Sequence, residues 1–179
     1  MYFQHYSMQG KMKKDRRKRS SRLQDTASRI AFMEGGEELL DRIGPLWKKL
    51  ALLHAGFSPF FAEDFRKTTF IARKKELIAK AFRKQLHVII AKSCDGRVIG
   101  YAVGTINKFR VAELDSLFIE KSFRTRGTGG RLVTMMIAWF ERHRPESIMV
   151  NVALGNESVS AFYRRFGFFP RLTTLVRKP

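Results

Sequence analysis

The chain has 179 residues, 44% of them hydrophobic, and carries 35 Lys/Arg against 16 Asp/Glu, a formal charge of +19. That length fits one domain with a well-buried core rather than two. The longest apolar runs, such as 135–140 and 88–91, fall far short of the roughly 20 residues that a membrane-crossing helix needs, and no basic-then-apolar leader opens the sequence; a cytoplasmic protein with no membrane span is expected. Cys94 is the single cysteine, which excludes an intramolecular disulfide and a cysteine-built zinc site, and no metal is expected.

The charge is uneven. Residues 1–24 hold eight Lys/Arg and one acid, a net +7, while the rest, with 27 bases and 15 acids, carries +12. The expected organisation is a basic tail, 1–24, and a single domain, 25–179. A like-charge block is solvated and disordered by default. It also offers weak nucleic-acid contact through residues 11–22, because a Lys or Arg that pairs with phosphate releases a condensed counterion. Composition leaves both readings open.

Along the chain, 28–33 reads as a short strand stopped by Gly35-Gly36. Residues 37–54 follow with helical spacing of Leu39, Leu40, Ile43, Leu46, Trp47, Leu50 and Leu53. A break over 56–59 precedes a second expected helix, 60–84, rich in Phe and in Arg/Lys. The period then changes to that of strands over 86–92, 98–107 and 111–119, the first two joined by an Asp95-Gly96 turn suited to a hairpin. Residues 127–142 return to helical spacing, 148–154 form a compact strand, 158–165 a short helix ended by Gly167, and 168–176 a last strand. An antiparallel meander that feeds into a strand-helix-strand crossover predicts an α/β (α+β) domain: a mixed, mostly antiparallel sheet with helices on both faces.

The most informative stretch is Arg124-Thr125-Arg126-Gly127-Thr128-Gly129-Gly130-Arg131, where a strand gives way to a helix. Glycines let an anion approach the backbone, the helix start supplies free N–H groups, and Arg124, Arg126 and Arg131 add full charges, so a pyrophosphate is the expected ligand. Alone, such a turn also serves simply to pack a helix close to a strand. A dinucleotide fingerprint would need a third glycine where Leu132 stands, and a nucleotide-triphosphate loop would need Gly-Lys-Ser/Thr; neither is present.

Here the sequence resembles the GNAT superfamily of acyl-CoA-dependent N-acetyltransferases over nearly everything after residue 25. Arg124-Thr-Arg-Gly127-Thr-Gly129 matches that family's Gln/Arg-x-x-Gly-x-Gly/Ala motif, whose amides hold the CoA pyrophosphate. Val98–Gly104 looks like its third strand, and Leu117-Phe118-Ile119 like the fourth, whose backbone bonds the pantetheine arm. Asn156 to Phe168, with Tyr163 seven residues after Asn156, is similar to its second CoA motif. The resemblance implies acetyl-CoA as cosubstrate, a splayed parallel strand pair holding it, and cofactor contacts from 117–119, 124–130 and Asn156.

Amide formation from a thioester needs a neutral amine and a proton for the departing thiolate. Tyr163 resembles the family's general acid, since a phenol near pKa 10 stays protonated at working pH; the plainer role is a half-buried tyrosine bonded to backbone. Asn156 can cap the short helix it begins, contact CoA, or both. Glu113 and Asp115, two apart on one strand, are equal candidates for the base, or they pair with basic residues of neighbouring elements; a β-bulge in that strand would upset the two-residue spacing. Some family members carry a glutamate base five residues before the motif asparagine, where this chain has Asn151. A weak base is easier to tolerate with an α-amino acceptor, about a tenth neutral at pH 7, than with a lysine, neutral in about one molecule in two thousand.

The resemblance puts the acceptor pocket among His54, Phe57, Phe60, Phe61 and 168–171, with Glu63 and Asp64 the only nearby acid pair. A small neutral or anionic amine, or a protein amine, is therefore expected rather than a polycation. The competing function is a non-catalytic acyl-CoA-binding or RNA/ribosome-binding module that uses the basic tail. The short last strand, lacking a clear partner, suggests completion by a second subunit in a homodimer.

Overall fold

The computed structural model describes residues 30–58, 60–124 and 126–177. The basic tail, the start of the expected first strand and Thr125 lie outside them. Strands β1 (Ala31–Gly35), β2 (Leu86–Lys92), β3 (Val98–Ile106), β4 (Val111–Ile119) and β5 (Ser147–Val150) form one five-stranded sheet in chain order. Helices α1 (Leu40–Phe57), α2 (Ala62–Lys67) and α3 (Phe70–Lys80) lie between β1 and β2 in sequence, α4 (Thr128–Arg142) between β4 and β5, and α5 (Ser160–Arg164) after β5. The first three strand pairings are antiparallel and β4–β5 is parallel. This is the expected mixed sheet, reached as expected: a tight turn with Gly96 at φ +80 joins β2 to β3, and the one parallel pair is connected through a helix.

Each sheet face buries one amphipathic layer. Leu132, Val133, Met136 and Phe140 of α4 pack on Ile89, Ala91, Ala102, Ala112 and Leu114. On the other face Leu40, Ile43, Leu46, Trp47 and Leu50 of α1, with Leu77 of α3, cover Val88, Ile90, Tyr101, Val103 and Phe118. Burying a side chain of this kind contributes roughly 2 kcal/mol, so these two stripes decide how the helices lie.

Two features of β4 set up the site. First, Val103 pairs with Ser116 while Gly104 pairs with Leu114, so Asp115 is the extra residue of a bulge. The bulge turns the alternation over: Ala112 and Leu114 face α4, and so do Leu117 and Ile119, although simple parity would not allow it. Second, β4 pairs with β5 only from Val111 to Leu114. Beyond that β5 stops at Val150, whereas β4 continues to Ile119, and the two strands part.

The structure corrects four expectations. The helix expected over 60–84 is divided: Thr68 and Thr69 are extended between α2 and α3, and Thr69 Oγ1 accepts a bond from the Ala72 N–H at 3.2 Å. A β-branched pair with hydroxyls that compete for the backbone explains the break. After α3 a separate 3-10 turn covers Phe82–Lys84. The strand expected to reach 154 ends at Val150. Residues 168–177 form no strand, and Leu172, Leu175 and Val176 stand exposed, Leu175 at 91%; β-propensity measures fit to a pleated surface, and no strand edge is presented to this segment.

Candidate active site

The glycine turn starts α4. Gly127 is the residue before the helix, with φ +76 and ψ −6, a left-handed conformation that side chains disfavour. The first helical bond runs from Arg131 N–H to Gly127 O at 3.0 Å, and as in any helix the N–H groups of the first turn lack intrahelical acceptors. Thr128 is buried, and its Oγ1 has no hydrogen-bond partner, which is costly unless something polar meets it. Arg124 folds back on β4: its Nε donates to Ile119 O at 2.9 Å and its guanidinium lies 5.6 Å from the Phe118 ring centre. Arg126 stands 5.4 Å over Phe123.

The turn meets the other motif residues through close packing. A methyl group on Gly129 would lie 3.6 Å from the Phe162 ring and 3.9 Å from Ile119, so turn, β4 end and α5 converge. Tyr163 sits in the core on the α4 face, edge-on to Phe162 and Phe168. Burial pushes its phenol up to about 12. Asn156 begins a 3-10 turn (Glu157–Val159) but makes no side-chain cap bond, so the capping role is not the one it has here. Just before it Gly155, at φ +89, presses against the end of α1, where a Cβ would come within 2.6 Å of Phe57 O.

Glu113 and Asp115 share one cation. Lys80 Nζ, reaching across from α3, donates to Glu113 Oε2 and to Asp115 Oδ1, each at 2.6 Å. Asp115 also accepts from Thr105 Oγ1 at 2.6 Å and lies 3.4 Å from the Arg73 guanidinium. Its side chain is fully sealed, whereas that of Glu113 keeps 15% of its surface. Burial holds the Asp115 carboxyl above its ordinary pKa against the bonds from Lys80 and Thr105. For Lys80, burial is the largest single influence and acts downward, but the bonds to Asp115 and Glu113 together keep its ammonium above its ordinary value. The other Glu113 oxygen accepts from Asn151 Nδ2 at 2.9 Å. A carboxylate from β4 thus stands beside Asn151, just where β4 and β5 part.

Tyr163 and the two carboxylates therefore occupy opposite faces of the sheet. Of the aromatic set, Phe60 is 64% exposed and Phe57 lies against Gly155. His54 meets Phe65 edge-on, and burial lowers its pKa. Glu63 is paired with Arg66. Lys80, Arg73 and Thr105 are the site residues that the sequence did not announce; they lie 10 to 42 positions from Asp115, and no local pattern marks them.

The fold and the glycine turn are those of the GNAT acetyltransferases, and the chain belongs to that family: the Acetyltransferase (GNAT) family model matches residues 50–168. Among curated relatives, an uncharacterized N-acetyltransferase from Methanocaldococcus jannaschii is 28% identical over 80 residues, 41% of this chain. The match spans 35% of that relative's length. Among solved structures, AAC(6')-Iy in complex with the bisubstrate analog CoA-S-monomethyl-acetylneamine superposes with a TM-score of 0.58 at 20% identity, over 85% of this chain and 99% of the other. A GNAT-family acetyltransferase from Staphylococcus aureus gives 0.61 at 13% identity, over 82% and 95%. At these identities the likeness is one of fold. No helix among the described residues is long and apolar enough to cross a membrane.

Proposed function

We propose that this chain transfers an acetyl group from acetyl-CoA to a primary amine of a small molecule or protein, by direct attack within a ternary complex. The observation that carries this reading is the turn at the head of α4, where a left-handed Gly127, the buried and unpartnered Thr128 Oγ1 and the arginines surround one spot beside the parting of β4 and β5. Those groups fit a pyrophosphate: backbone N–H groups and a hydroxyl to bind oxygen, and positive charge to offset it. Arg126, Gly127, Thr128, Gly129 and Gly130 would hold it, with Arg124 fixing the strand end and Thr125 in the same turn. Leu117, Phe118 and Ile119 offer backbone groups that β5 does not pair, and Asn156 a free amide.

Bound acetyl-CoA would supply an acyl thioester with a thiolate leaving group. Tyr163, protonated throughout the working range because its pKa lies near 12, is placed to give that thiolate a proton. On the opposite face Glu113 is the carboxylate suited to take the amine proton, since it keeps some exposure while Asp115 is sealed. Asp115 instead orients Lys80, which with Asn151 fixes the Glu113 carboxylate. A base held by an ammonium is a weak one, which suits an acceptor of low pKa.

The test is to measure melting temperature with acetyl-CoA and then thiol release across a panel of amines. The expected result is a clear stabilisation and turnover with at least one amine. Absence of stabilisation by any acyl-CoA would sink the proposal. Stabilisation with no thiol release from any amine would instead favour a non-catalytic acyl-CoA-binding module.

A further inference from the structure

A groove of about 340 Å³ remains that the catalytic reading does not use, lined by Gly130, Arg131, Thr134, Met135, Arg165 and Phe166. It begins where the glycine turn ends, since Gly130 belongs to both, and Thr134 lies one helical turn further on, roughly 6 Å along the axis. Two guanidiniums flank it from different elements. That of Arg131 stands 4.4 Å over the Phe32 ring of β1, and that of Arg165, just past α5, stands 5.7 Å from the centres of both Phe162 and Phe166. Stacking on ring faces holds these long side chains in place before any ligand arrives, which lowers the ordering cost of binding. Among the described residues neither guanidinium pairs with a carboxylate. The remaining lining is apolar, from Met135 and Phe166.

We infer that this groove binds the 3′-phosphoadenosine end of acetyl-CoA, with Arg131 and Arg165 clamping the 3′-phosphate and Met135 and Phe166 against the purine. The inference rests on the cosubstrate proposed above. Two of that molecule's three phosphates form the pyrophosphate, which the turn can hold through backbone groups. The third is separated from them by one ribose and is the remaining group of high charge. A dianion with three oxygens suits two forked guanidiniums from opposite sides, and a flat aromatic base suits a thioether and a phenyl ring. The consequence is discrimination: this chain should read the 3′-phosphate rather than tolerate it.

Calorimetric titration of the full chain with acetyl-CoA and with its 3′-dephospho analogue tests the assignment. Loss of the phosphate should weaken binding by about tenfold or more at low salt, and the gap should narrow as ionic strength rises, because both arginines are exposed. Arg165→Gln should weaken acetyl-CoA by a similar factor and leave the dephospho analogue unchanged. Arg165→Lys, which keeps the charge but loses the fork, should fall between; unliganded melting temperatures of both variants should match the parent. Equal affinity of the parent for both ligands, or equal weakening of both by Arg165→Gln, would overturn the groove assignment while leaving acetyl-CoA binding intact. If the parent binds neither ligand, the proposed function fails as well.

Discussion

The two faces of the sheet solve different problems with different materials. On the α4 face the chemistry is written in backbone and shape: a left-handed glycine, the open N–H groups of a helix start, one orphaned threonine hydroxyl and a buried tyrosine. On the α1–α3 face it is written in charge, with Lys80 and Arg73 converging on Glu113 and a sealed Asp115. The first arrangement awaits an anion. The second is already neutralised internally, so an acceptor arriving there meets a poised ion cluster rather than a bare carboxylate.

The largest expected effect breaks the second face. Lys80→Met leaves Glu113 and Asp115 without their shared cation, and removing one partner of a buried ion pair should cost about 3 kcal/mol of stability, read by denaturant titration. The effect depends on pH in a definite direction. Burial raises the folded-state pKa of Asp115 above its unfolded value, so its ionisation costs stability at neutral pH, and that cost disappears as pH falls through the folded-state pKa. The deficit of Lys80→Met relative to the parent should therefore be smaller at pH 4 than at pH 7. An equal deficit at both would show that the cluster contributes through packing instead.

The next effect probes the first face. Tyr163→Phe removes only the hydroxyl, and if that group protonates the thiolate, turnover should fall about 100-fold, equivalent to about 2.7 kcal/mol of activation energy, with acetyl-CoA affinity unchanged. A loss of affinity without loss of turnover would make Tyr163 a packing residue. The smallest effect sharpens the contrast between backbone and charge. Gly127→Ala meets no neighbouring atom within 4 Å, so its cost is the left-handed backbone alone, about 1 kcal/mol. It should weaken acetyl-CoA binding while leaving the pH dependence of stability, which belongs to the other face, untouched.

That division also explains what could be read from the sequence. The boundaries of β2 and β4 agree with expectation at both ends, and those of β3 and α4 differ by a single residue, because hydrophobic period and glycine punctuation are local. The glycine turn was legible for the same reason. The bulge at Asp115 was not, since it is a property of two strands in register rather than of one. Neither was the tie from Lys80 to Asp115, which spans 35 positions and depends on α3 ending where it does. Thr68 and Thr69 did carry a signal, two β-branched hydroxyl residues inside a run of helix formers, but the amphipathic pattern around them outweighed it. The exposed Leu172–Val176 segment shows the opposite error, in which strand propensity was taken for a strand although propensity cannot supply a partner.

The contact between Gly155 and Phe57 has a mechanical consequence. Backbone touches backbone there with no room for a single methyl group, and Gly155 leads directly into Asn156 and, eight residues on, Tyr163. The last turn of α1 and the segment bearing the candidate acid therefore behave as two arms of one lever, with the glycine as fulcrum. An amine that pushes α1 aside on entering the acceptor pocket moves the proton donor on the far side of the sheet, and positioning of the two reactants becomes a single motion rather than two.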